Sequence, residues 1–171
     1  AIFTPTANST ANGAVSLSSG VFTDTAGNLN ADGSDTNNSV TMTVNTVLAD
    51  SIFGGSLDDL INGSAGDNLI FGLAGNDTLD GAVGNDTIYG GAGNDWLGGE
   101  FGDNTVFGGE GNDFIDGGSG EDILKGDAGA DSLFGQSSVD QLFGGVGNDS
   151  LNGGTGVDTL RGEAGVDICV N

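Results

Sequence analysis

The sequence repeats every nine residues from Gly54 to Val170, in thirteen consecutive copies without an insertion. The first position is glycine in every copy, the fourth is glycine in eleven copies, and the sixth is aspartate in eleven. The eighth position is always apolar. A repeat this short cannot bury its single apolar residue alone, so neighbouring copies must share one continuous core. The repeat therefore predicts a solenoid.

Each position of the repeat has a structural interpretation. Glycine at fixed places indicates backbone that adopts a positive φ or closely approaches another segment, so positions 1 to 6 are predicted to form a turn. Positions 7 to 9 are predicted to form a short strand whose eighth position points inward, because successive side chains alternate between faces. Two repeats, 18 residues, then make one coil, and stacked coils give two parallel sheets. The residues predicted to point inward are Ile61, Ile70, Leu79, Ile88, Leu97, Val106, Ile115, Leu124, Leu133, Leu142, Leu151, Leu160 and Cys169.

The chain is strongly acidic, with 25 Asp and Glu against two basic residues, a net charge of -23 and 35 glycines. A compact fold with this charge repels itself unless cations neutralise it. The lack of basic patches argues against nucleic acid or anionic lipid as partners. The absence of histidine excludes zinc-protease sites and Ser-His-Asp triads, and we expect no enzymatic activity. A single cysteine forms no internal disulfide, and no apolar run approaches the roughly 20 residues that span a bilayer.

The sixth positions of alternate repeats fall into two columns, because residues 18 apart occupy the same turn of successive coils. Stacked carboxylates repel one another unless a cation lies between them, so the columns favour bound metal. The first column contains Asp59, Asp77, Asp95, Asp113, Asp131, Asp149 and Asp167, and the second contains Asn68, Asp86, Asn104, Asp122, Asp140 and Asp158.

Copies such as GGEGNDFID, residues 108–116, resemble the RTX nonapeptide GGxGxDxUx, and the resemblance covers 117 of the 171 residues in phase. It implies an all-β fold, a right-handed parallel β-roll of two short-stranded sheets, with Ca²⁺ between successive turns of one column. It also implies six ligands: the carbonyls of positions 2 and 4 with the position-6 aspartate of one turn, and the carbonyls of positions 1 and 3 with the position-6 aspartate of the next. Ca²⁺ accepts six to eight oxygens, whereas Mg²⁺ requires a tighter octahedral site.

The resemblance thus assigns calcium ligands residue by residue. The carboxylate ligands are Asp59, Asp77, Asp95, Asp113, Asp131, Asp149 and Asp167 in the first column, and Asp86, Asp122, Asp140 and Asp158 in the second. The carbonyl ligands of the first column are Leu73, Gly75, Gly90, Gly91, Ala92, Gly93, Gly108, Gly109, Glu110, Gly111, Gly126, Asp127, Ala128, Gly129, Gly144, Gly145, Val146, Gly147, Gly162 and Ala164. Those of the second column are Gly118, Gly120, Gly135, Ser137, Gly153 and Thr155.

The two columns are not predicted to be equivalent. Full occupancy would place six ions in the first column and five in the second, eleven in all, but Asn68 and Asn104 each remove a negative charge. We expect the first three second-column gaps to be weak, or to be rescued by the adjacent Asp67 and Asp103. The last two should be strong, although residues 136 and 138 replace usual glycines and could distort them. The alternative is a metal-free solenoid, in which the same turns are polar loops.

Two outward-facing rows of aromatic residues have alternative interpretations: stacking within a sheet, which we favour, or a partner surface. Position 9 of the second column gives Phe71, Tyr89, Phe107, Lys125, Phe143 and Arg161, and position 7 of the other sheet gives Trp96 and Phe114.

Residues 1–47 lack the repeat and are rich in Thr, Ser, Val and Asn. Apolar and polar residues alternate over 14–23 and 39–47, which predicts antiparallel strands on either side of a long Gly/Asn/Asp loop. The segment resembles the carboxyl-terminal part of bacterial immunoglobulin-like adhesin domains. We therefore predict three parts: a partial immunoglobulin-like β segment at 1–47, a junction at 48–53 and the β-roll at 54–171.

The resemblances together imply an extracellular, calcium-binding structural module that folds on Ca²⁺ binding after type I secretion from a Gram-negative bacterium. We expect it to belong to an adhesin or cell-surface protein. The alternatives are the calcium-folded tail of a secreted hydrolase or toxin, or a surface-layer protein. Calcium ions are the expected partners, and any ligand on a host or neighbouring cell surface would be bound through regions outside this sequence.

Overall fold

The computed structural model describes residues 51–171 and, nearer the amino terminus, the backbone of two short strands. The chain divides into two compact units, residues 1–38 and 39–171. In the first unit, β1 (Phe22–Thr23) pairs antiparallel with β2 (Leu29–Asn30). Within the described residues, no helix has the length and apolar character needed to cross a membrane.

Strand β1 lies at the end of the alternating segment 14–23, as predicted, but β2 lies inside the segment predicted to be a loop, so that prediction was wrong for Leu29–Asn30. Five residues separate the two strands, a connection length that is common in β-hairpins and brings this part of the loop into pairing distance of β1. The rest of 14–23 and all of 39–47 lie outside the described residues.

The second unit contains two parallel seven-stranded sheets whose strands alternate along the chain, as predicted. The first sheet consists of β4 (Leu60–Asn62), β6 (Thr78–Asp80), β8 (Trp96–Gly98), β10 (Phe114–Asp116), β12 (Ser132–Phe134), β14 (Ser150–Asn152) and β16 (Ile168–Val170). The second consists of β3 (Ser51–Phe53), β5 (Leu69–Ala74), β7 (Thr87–Ala92), β9 (Thr105–Glu110), β11 (Ile123–Ala128), β13 (Gln141–Val146) and β15 (Thr159–Ala164).

Every strand of these two sheets pairs with strands 18 residues away, so one coil contains two repeats. Ile70 aligns with Ile88 in the second sheet, and Leu79 aligns with Leu97 in the first. Strand β3 falls in the segment predicted to be a junction, where Ile52 aligns with Ile70 and adds one rung to the second sheet. The first-sheet strands have the predicted three residues.

The second-sheet strands from β5 onward have six residues and extend through positions 1 to 3 of the next repeat. The prediction that these positions belong wholly to a turn was therefore wrong for the first column. The reason is that the ladder continues into the turn: the N–H of Ala74 donates to the carbonyl of Gly55 at 3.2 Å, and Leu73 aligns with Gly91.

One apolar side chain per repeat fills the space between the sheets, as the eighth position predicted. The buried side chains are Ile52, Ile61, Ile70, Leu79, Ile88, Leu97, Val106, Ile115, Leu124, Leu133, Leu142 and Leu151, with Leu160 partly buried against them. Cys169 was predicted to be buried and is exposed. It lies on β16, which is an edge strand of the first sheet within residues 51–171 and pairs there with β14.

The outward aromatic residues stack along the second sheet. Ring centroids of Phe53, Phe71, Tyr89 and Phe107 follow one another at 4.7–4.9 Å with nearly parallel planes. The row continues through Lys125, whose Nζ lies 5.0 Å from the Phe107 ring centroid. This geometry supports the structural interpretation of the row, because parallel strands place identical positions one strand spacing apart.

A shorter stack lies on the first sheet, between Trp96 and Phe114, whose ring centroids are 6.0 Å apart. Phe134, which the sequence pattern did not single out, extends it at 5.2 Å from Phe114.

Candidate metal centre

The position-6 side chains form a hydrogen-bonded ladder along both columns. Oδ1 of Asp95 accepts the backbone N–H of Asp77, one coil earlier, at 2.8 Å. The same contact recurs at 2.7–3.0 Å from Asp77 to Asp167 and from Asp86 to Asp158. One oxygen of each side chain therefore faces the preceding turn and holds the coils in register.

The other carboxylate oxygen, Oδ2, is buried without a hydrogen-bond partner in nine turns of the described chain. Leaving one charged, buried acceptor unpaired costs about 1–3 kcal/mol or more, and burying an ion costs more still without a counter-charge. Asp59 differs, since its Oδ2 accepts the N–H of Gly55 at 2.6 Å. The unpaired oxygens belong to Asp77, Asp86, Asp95, Asp113, Asp122, Asp131, Asp140, Asp149 and Asp158.

In six of these turns, those of Asp77, Asp95, Asp113, Asp131, Asp140 and Asp149, Oδ2 and a backbone carbonyl of the following turn border the same position-1 glycine. A Cβ atom built on Gly72 would lie against both Oδ2 of Asp77 and the carbonyl oxygen of Gly90 in the next coil. Two acceptors thus border the same small space, and glycine at position 1 keeps it open. Two neighbouring acceptors repel each other, which makes this space suited to a cation.

The remaining backbone carbonyls of the turns face the same gap. A Cβ atom on Gly91 or Gly93 would meet the carbonyl of Leu73 or Gly75, so the carbonyls of positions 2 and 4 point forward to the next turn. The carbonyl of Ala92 points backward, accepting the N–H of Gly75 at 2.9 Å. The carbonyls of positions 2 and 4 of one turn and of positions 1 and 3 of the next therefore point toward each other's turn, and their assignment as ligands of one ion stays a prediction.

Positions 2 and 4 adopt positive φ, which directs their carbonyls away from the strand. Most are glycine, but seven are not, and a side chain in this conformation costs about 1–2 kcal/mol. The exceptions are Leu73, Ala82, Glu100, Asp127, Gln136, Ser138 and Glu163, with φ between 69° and 99°. Their positive φ is imposed by the surrounding coils, since adjacent turns have the same conformation.

Burial raises the pKa of the column carboxyls, and the neighbouring backbone N–H donors only partly offset it. The pKa of Asp113 rises from 3.8 to about 7, and those of Asp77, Asp122 and Asp131 rise to about 6. Neighbouring carboxylates of the same column add to the rise, as Asp131 and Asp95 do for Asp113. A cation between the turns would reverse this effect by stabilising the charged form.

The donor set fits Ca²⁺. Among the described residues no three Asp, Glu, His or Cys side chains converge on one point, so each gap offers two side-chain groups and several backbone carbonyls. Hard oxygen donors of this kind suit Ca²⁺, which accepts carbonyls and carboxylates in flexible geometry. The buried, unpaired Oδ2 atoms are the observation that calls for a positive partner.

The two asparagines of the second column take part in the ladder but present nitrogen where aspartate presents oxygen. Oδ1 of Asn104 accepts the N–H of Asp86 at 2.9 Å, which leaves Nδ2 facing the next turn. Nδ2 donates to the carbonyl of Gly102 at 3.0 Å and lies 3.5 Å from that of Gly117.

Asp67 and Asp103, expected as possible rescuers of the weak gaps, lie on the exposed side of the turns. Their Oδ1 atoms accept the N–H of Asn85 and Glu121, one coil later, at 2.8 Å. They belong to an outer ladder at position 5 that the sequence reasoning missed, in which Asn94, for example, donates its N–H to Asn76. Asn and Asp recur at position 5 in the sequence, and that recurrence could have indicated the ladder.

Gln136 and Ser138 were expected to distort the last two second-column gaps. The structure keeps the turn conformation there, with φ of 71° and 99°. The ladder also continues, since the N–H groups of Asp122 and Asp140 lie 2.9 and 3.0 Å from the Oδ1 atoms one coil later. The two residues therefore strain the backbone without breaking the register.

Comparison with known protein families identifies these repeats. The profile of the RTX calcium-binding nonapeptide repeat (4 copies) matches residues 53–88, 72–106, 98–133, 116–151 and 134–169. A search of curated proteins returned no match to the chain. Repeats of this family form a calcium-binding structural β-roll typical of secreted, extracellular bacterial proteins. The matches overlap to cover more than half of the chain, which therefore belongs to the RTX calcium-binding nonapeptide repeat family.

Proposed function

We propose that this chain is an extracellular structural module that folds when Ca²⁺ enters the gaps of its two columns after export. The observation that carries the proposal is the set of buried, unpaired Oδ2 atoms. In the metal-free fold most of these oxygens lie near a carbonyl oxygen of the next turn, an arrangement that opposes folding. An ion between them would turn the same contacts into attraction.

The ligands of each ion would be those assigned by position in the repeat. For the gap between the turns of Asp77 and Asp95, they are Oδ2 of Asp77, Oδ1 of Asp95, the carbonyls of Leu73 and Gly75, and those of Gly90 and Ala92. The ion would supply positive charge where the chain has none, because Lys125 and Arg161 are the chain's two basic residues and both lie outside the columns. The Oδ1 ladder would keep adjacent turns in register around the ion.

The folding energy without calcium is small for a chain of this length. The core holds one apolar side chain per nine residues, so apolar burial offsets little of the entropy cost of ordering the backbone. The net charge of -23 adds repulsion. Extracellular calcium modules have dissociation constants of about 10⁻⁴–10⁻³ M, so the chain would be unfolded at cytoplasmic calcium levels and folded outside the cell.

We propose further that the module belongs to a surface adhesin exported by type I secretion from a Gram-negative bacterium. The support is the resemblance of residues 1–47 to bacterial immunoglobulin-like domains, together with the short antiparallel pair β1–β2 within that segment. Binding of a host or neighbouring-cell ligand would then be the task of other regions. Extension of the sequence before residue 1 tests this: further immunoglobulin-like repeats support the adhesin, and a catalytic motif supports a secreted hydrolase or toxin.

Calcium-dependent folding is tested by titrating the purified chain with CaCl₂ from a chelated state while recording far-UV circular dichroism. We expect only a small residual β signal in chelator and a cooperative gain of β signal between about 10⁻⁴ and 10⁻² M calcium. Equal concentrations of MgCl₂ should produce much less change, because the flexible carbonyl-rich sites match Ca²⁺ better. A full β spectrum in excess chelator at neutral pH would refute the proposal.

A further inference from the structure

The second column differs from the first at two rungs, where an amide nitrogen occupies the place of a carboxylate oxygen. Around Gly99 the space bordered elsewhere by an aspartate Oδ2 is bordered by Nδ2 of Asn104, 2.6 Å from the position a Cβ would take. The carbonyl of Gly117 borders the other side, also at 2.6 Å from that position. The pair of facing groups is therefore a donor and an acceptor.

Asn68 also places an amide nitrogen where aspartate has an oxygen, and this nitrogen makes more hydrogen bonds than that of Asn104. Its Oδ1 faces the N–H and hydroxyl of Ser64, each at 3.3 Å, so Nδ2 is the atom turned toward the next coil. Nδ2 donates to the carbonyl of Ser64 at 2.9 Å, to the carbonyl of Gly66, and to Oδ1 of Asp86 at 3.1 Å. These acceptors are the position-2 and position-4 carbonyls of one turn and the position-6 carboxylate of the next, which is half of the assigned ligand set.

We propose that Asn68 and Asn104 close the gaps that follow them with their own amide groups, so that these two gaps fold without calcium. The inference rests on the proposed function, since it assigns which gaps of that module take ions. An amide N–H₂ offers two donors, enough to satisfy carbonyl oxygens that would otherwise need a cation. The nitrogen also occupies the space that the ion would need.

An asparagine at position 6 has different effects on the gap before it and on the gap after it. An asparagine alters the gap on its Nδ2 side, toward the following coil, and leaves an oxygen on the side of the preceding coil. The gap between Asp86 and Asn104 thus retains the unpaired Oδ2 of Asp86 and the Oδ1 of Asn104. It stays a calcium site, in contrast to the expectation that the first three second-column gaps are weak or are rescued by Asp67 and Asp103. The module then takes ions in six first-column gaps and three second-column gaps.

The test is an exchange of the one atom in question, Asn104→Asp, with Asn94→Asp as the matched control. Asn94 lies in the exposed position-5 ladder between Asn76 and Asn112, so its replacement adds the same charge outside any gap. The measurement is the number of calcium ions bound per full chain, by native mass spectrometry and by calorimetric titration. Asn68→Asp is a second variant in case Asn104→Asp folds poorly.

We expect Asn104→Asp to bind one more ion than the wild-type chain, and Asn94→Asp to bind the same number as the wild type. In chelator at neutral pH, Asn104→Asp should lose residual β signal relative to both, because it removes an amide donor and adds an unpaired carboxylate. An unchanged ion count in both Asn→Asp column variants, or eleven ions in the wild type, would overturn the inference. A wild-type chain that binds no calcium would instead overturn the proposed function itself.

Discussion

The two columns share one backbone conformation but differ in the charge of their position-6 side chains. Both use the same Oδ1 ladder, with N–H to oxygen distances of 2.7–3.0 Å, and both adopt positive φ at positions 2 and 4. The first column carries a carboxylate at every rung, whereas the second begins with Asn68 and has Asn104 at its third rung. Asn104 retains the ladder because its amide oxygen accepts the N–H of Asp86, as an aspartate oxygen does at the other rungs. Position 6 therefore has two roles. Its Oδ1 atom keeps adjacent coils in register, and the charge of the other terminal atom determines whether the gap needs a cation.

The largest difference between the columns should appear when the whole side chain is removed. Asp113→Ala removes Oδ2 from one gap and Oδ1 from the gap before it, so two ions should lose a ligand. At a free calcium concentration a hundred times the dissociation constant, each ion contributes about 2.7 kcal/mol, so weakening both would cost up to about 5 kcal/mol. We expect the calcium midpoint, followed by circular dichroism, to move to higher concentration, with two fewer ions bound.

Asn104→Ala is the comparison for that change. It removes hydrogen bonds to Gly102 and Asp86, at a cost of about 1–3 kcal/mol, and takes a neutral amide oxygen from one calcium gap, whereas Asp113→Ala takes carboxylate oxygens from two. Its calcium midpoint should therefore move less than that of Asp113→Ala. Equal shifts of the calcium midpoint in the two variants would contradict the proposed difference between the two columns.

Lowering the pH should stabilise the metal-free fold, because the buried first-column carboxylates then bind protons. The pKa of Asp113 is raised to about 7 and those of Asp77 and Asp131 to about 6, above the unfolded value near 3.8. The metal-free folded state therefore binds protons more tightly than the unfolded state, and its stability falls as pH rises from about 4 to 7. We expect the metal-free chain to gain β signal when the pH is lowered from 8 to 4, and calcium affinity to fall over the same range.

The control for this pH dependence is Asp113→Asn, which keeps the ladder acceptor but does not titrate. Its β signal in chelator should exceed that of the wild type at pH 7, and the two should converge near pH 4. A metal-free chain whose β content does not change between pH 8 and 4 would contradict the assignment of buried carboxylates as the barrier to metal-free folding.

The sequence was sufficient to predict the coil, the two sheets and the inward eighth position, because an exact period transfers any local geometry to every coil. The alignment of Leu79 with Leu97, for example, follows from their separation of 18 residues alone. The exposure of Cys169 was missed because burial depends on a neighbouring coil on each side, and Cys169 lies on an edge strand of the described sheet. The extra strand residues beyond Phe71 were missed because glycine-rich segments carry weak strand propensity, and the neighbouring coil compensates for it.

The orientation of the position-6 side-chain atoms could not be predicted from the sequence either. Asn68 and Asn104 could be identified as lost charges, and on that ground the gaps on both sides of Asn104 were predicted to be weak or rescued. The structure shows that the two terminal atoms of position 6 face opposite coils, so an oxygen and a nitrogen at Asn104 have separate effects. That orientation depends on the N–H of Asp86 in the preceding coil, a contact between residues that periodicity aligns but does not orient.

The smallest expected effect concerns strain rather than charge, at the one non-glycine position 4 with positive φ among the described repeats. Ser138 has φ of 99° and its N–H donates to the carbonyl of Thr155 at 2.9 Å. Ser138→Gly should stabilise the calcium-loaded chain by about 1 kcal/mol, because glycine adopts positive φ without the steric cost of a Cβ atom. The reverse change in the first column, Gly147→Ser, places a Cβ against the carbonyl of Gly129 and should destabilise by a similar amount or more. Both are measured as thermal midpoints in saturating calcium. A loss of stability in Ser138→Gly would contradict this prediction, because it would mean that the serine side chain makes a contact that stabilises the turn more than the positive φ strains it.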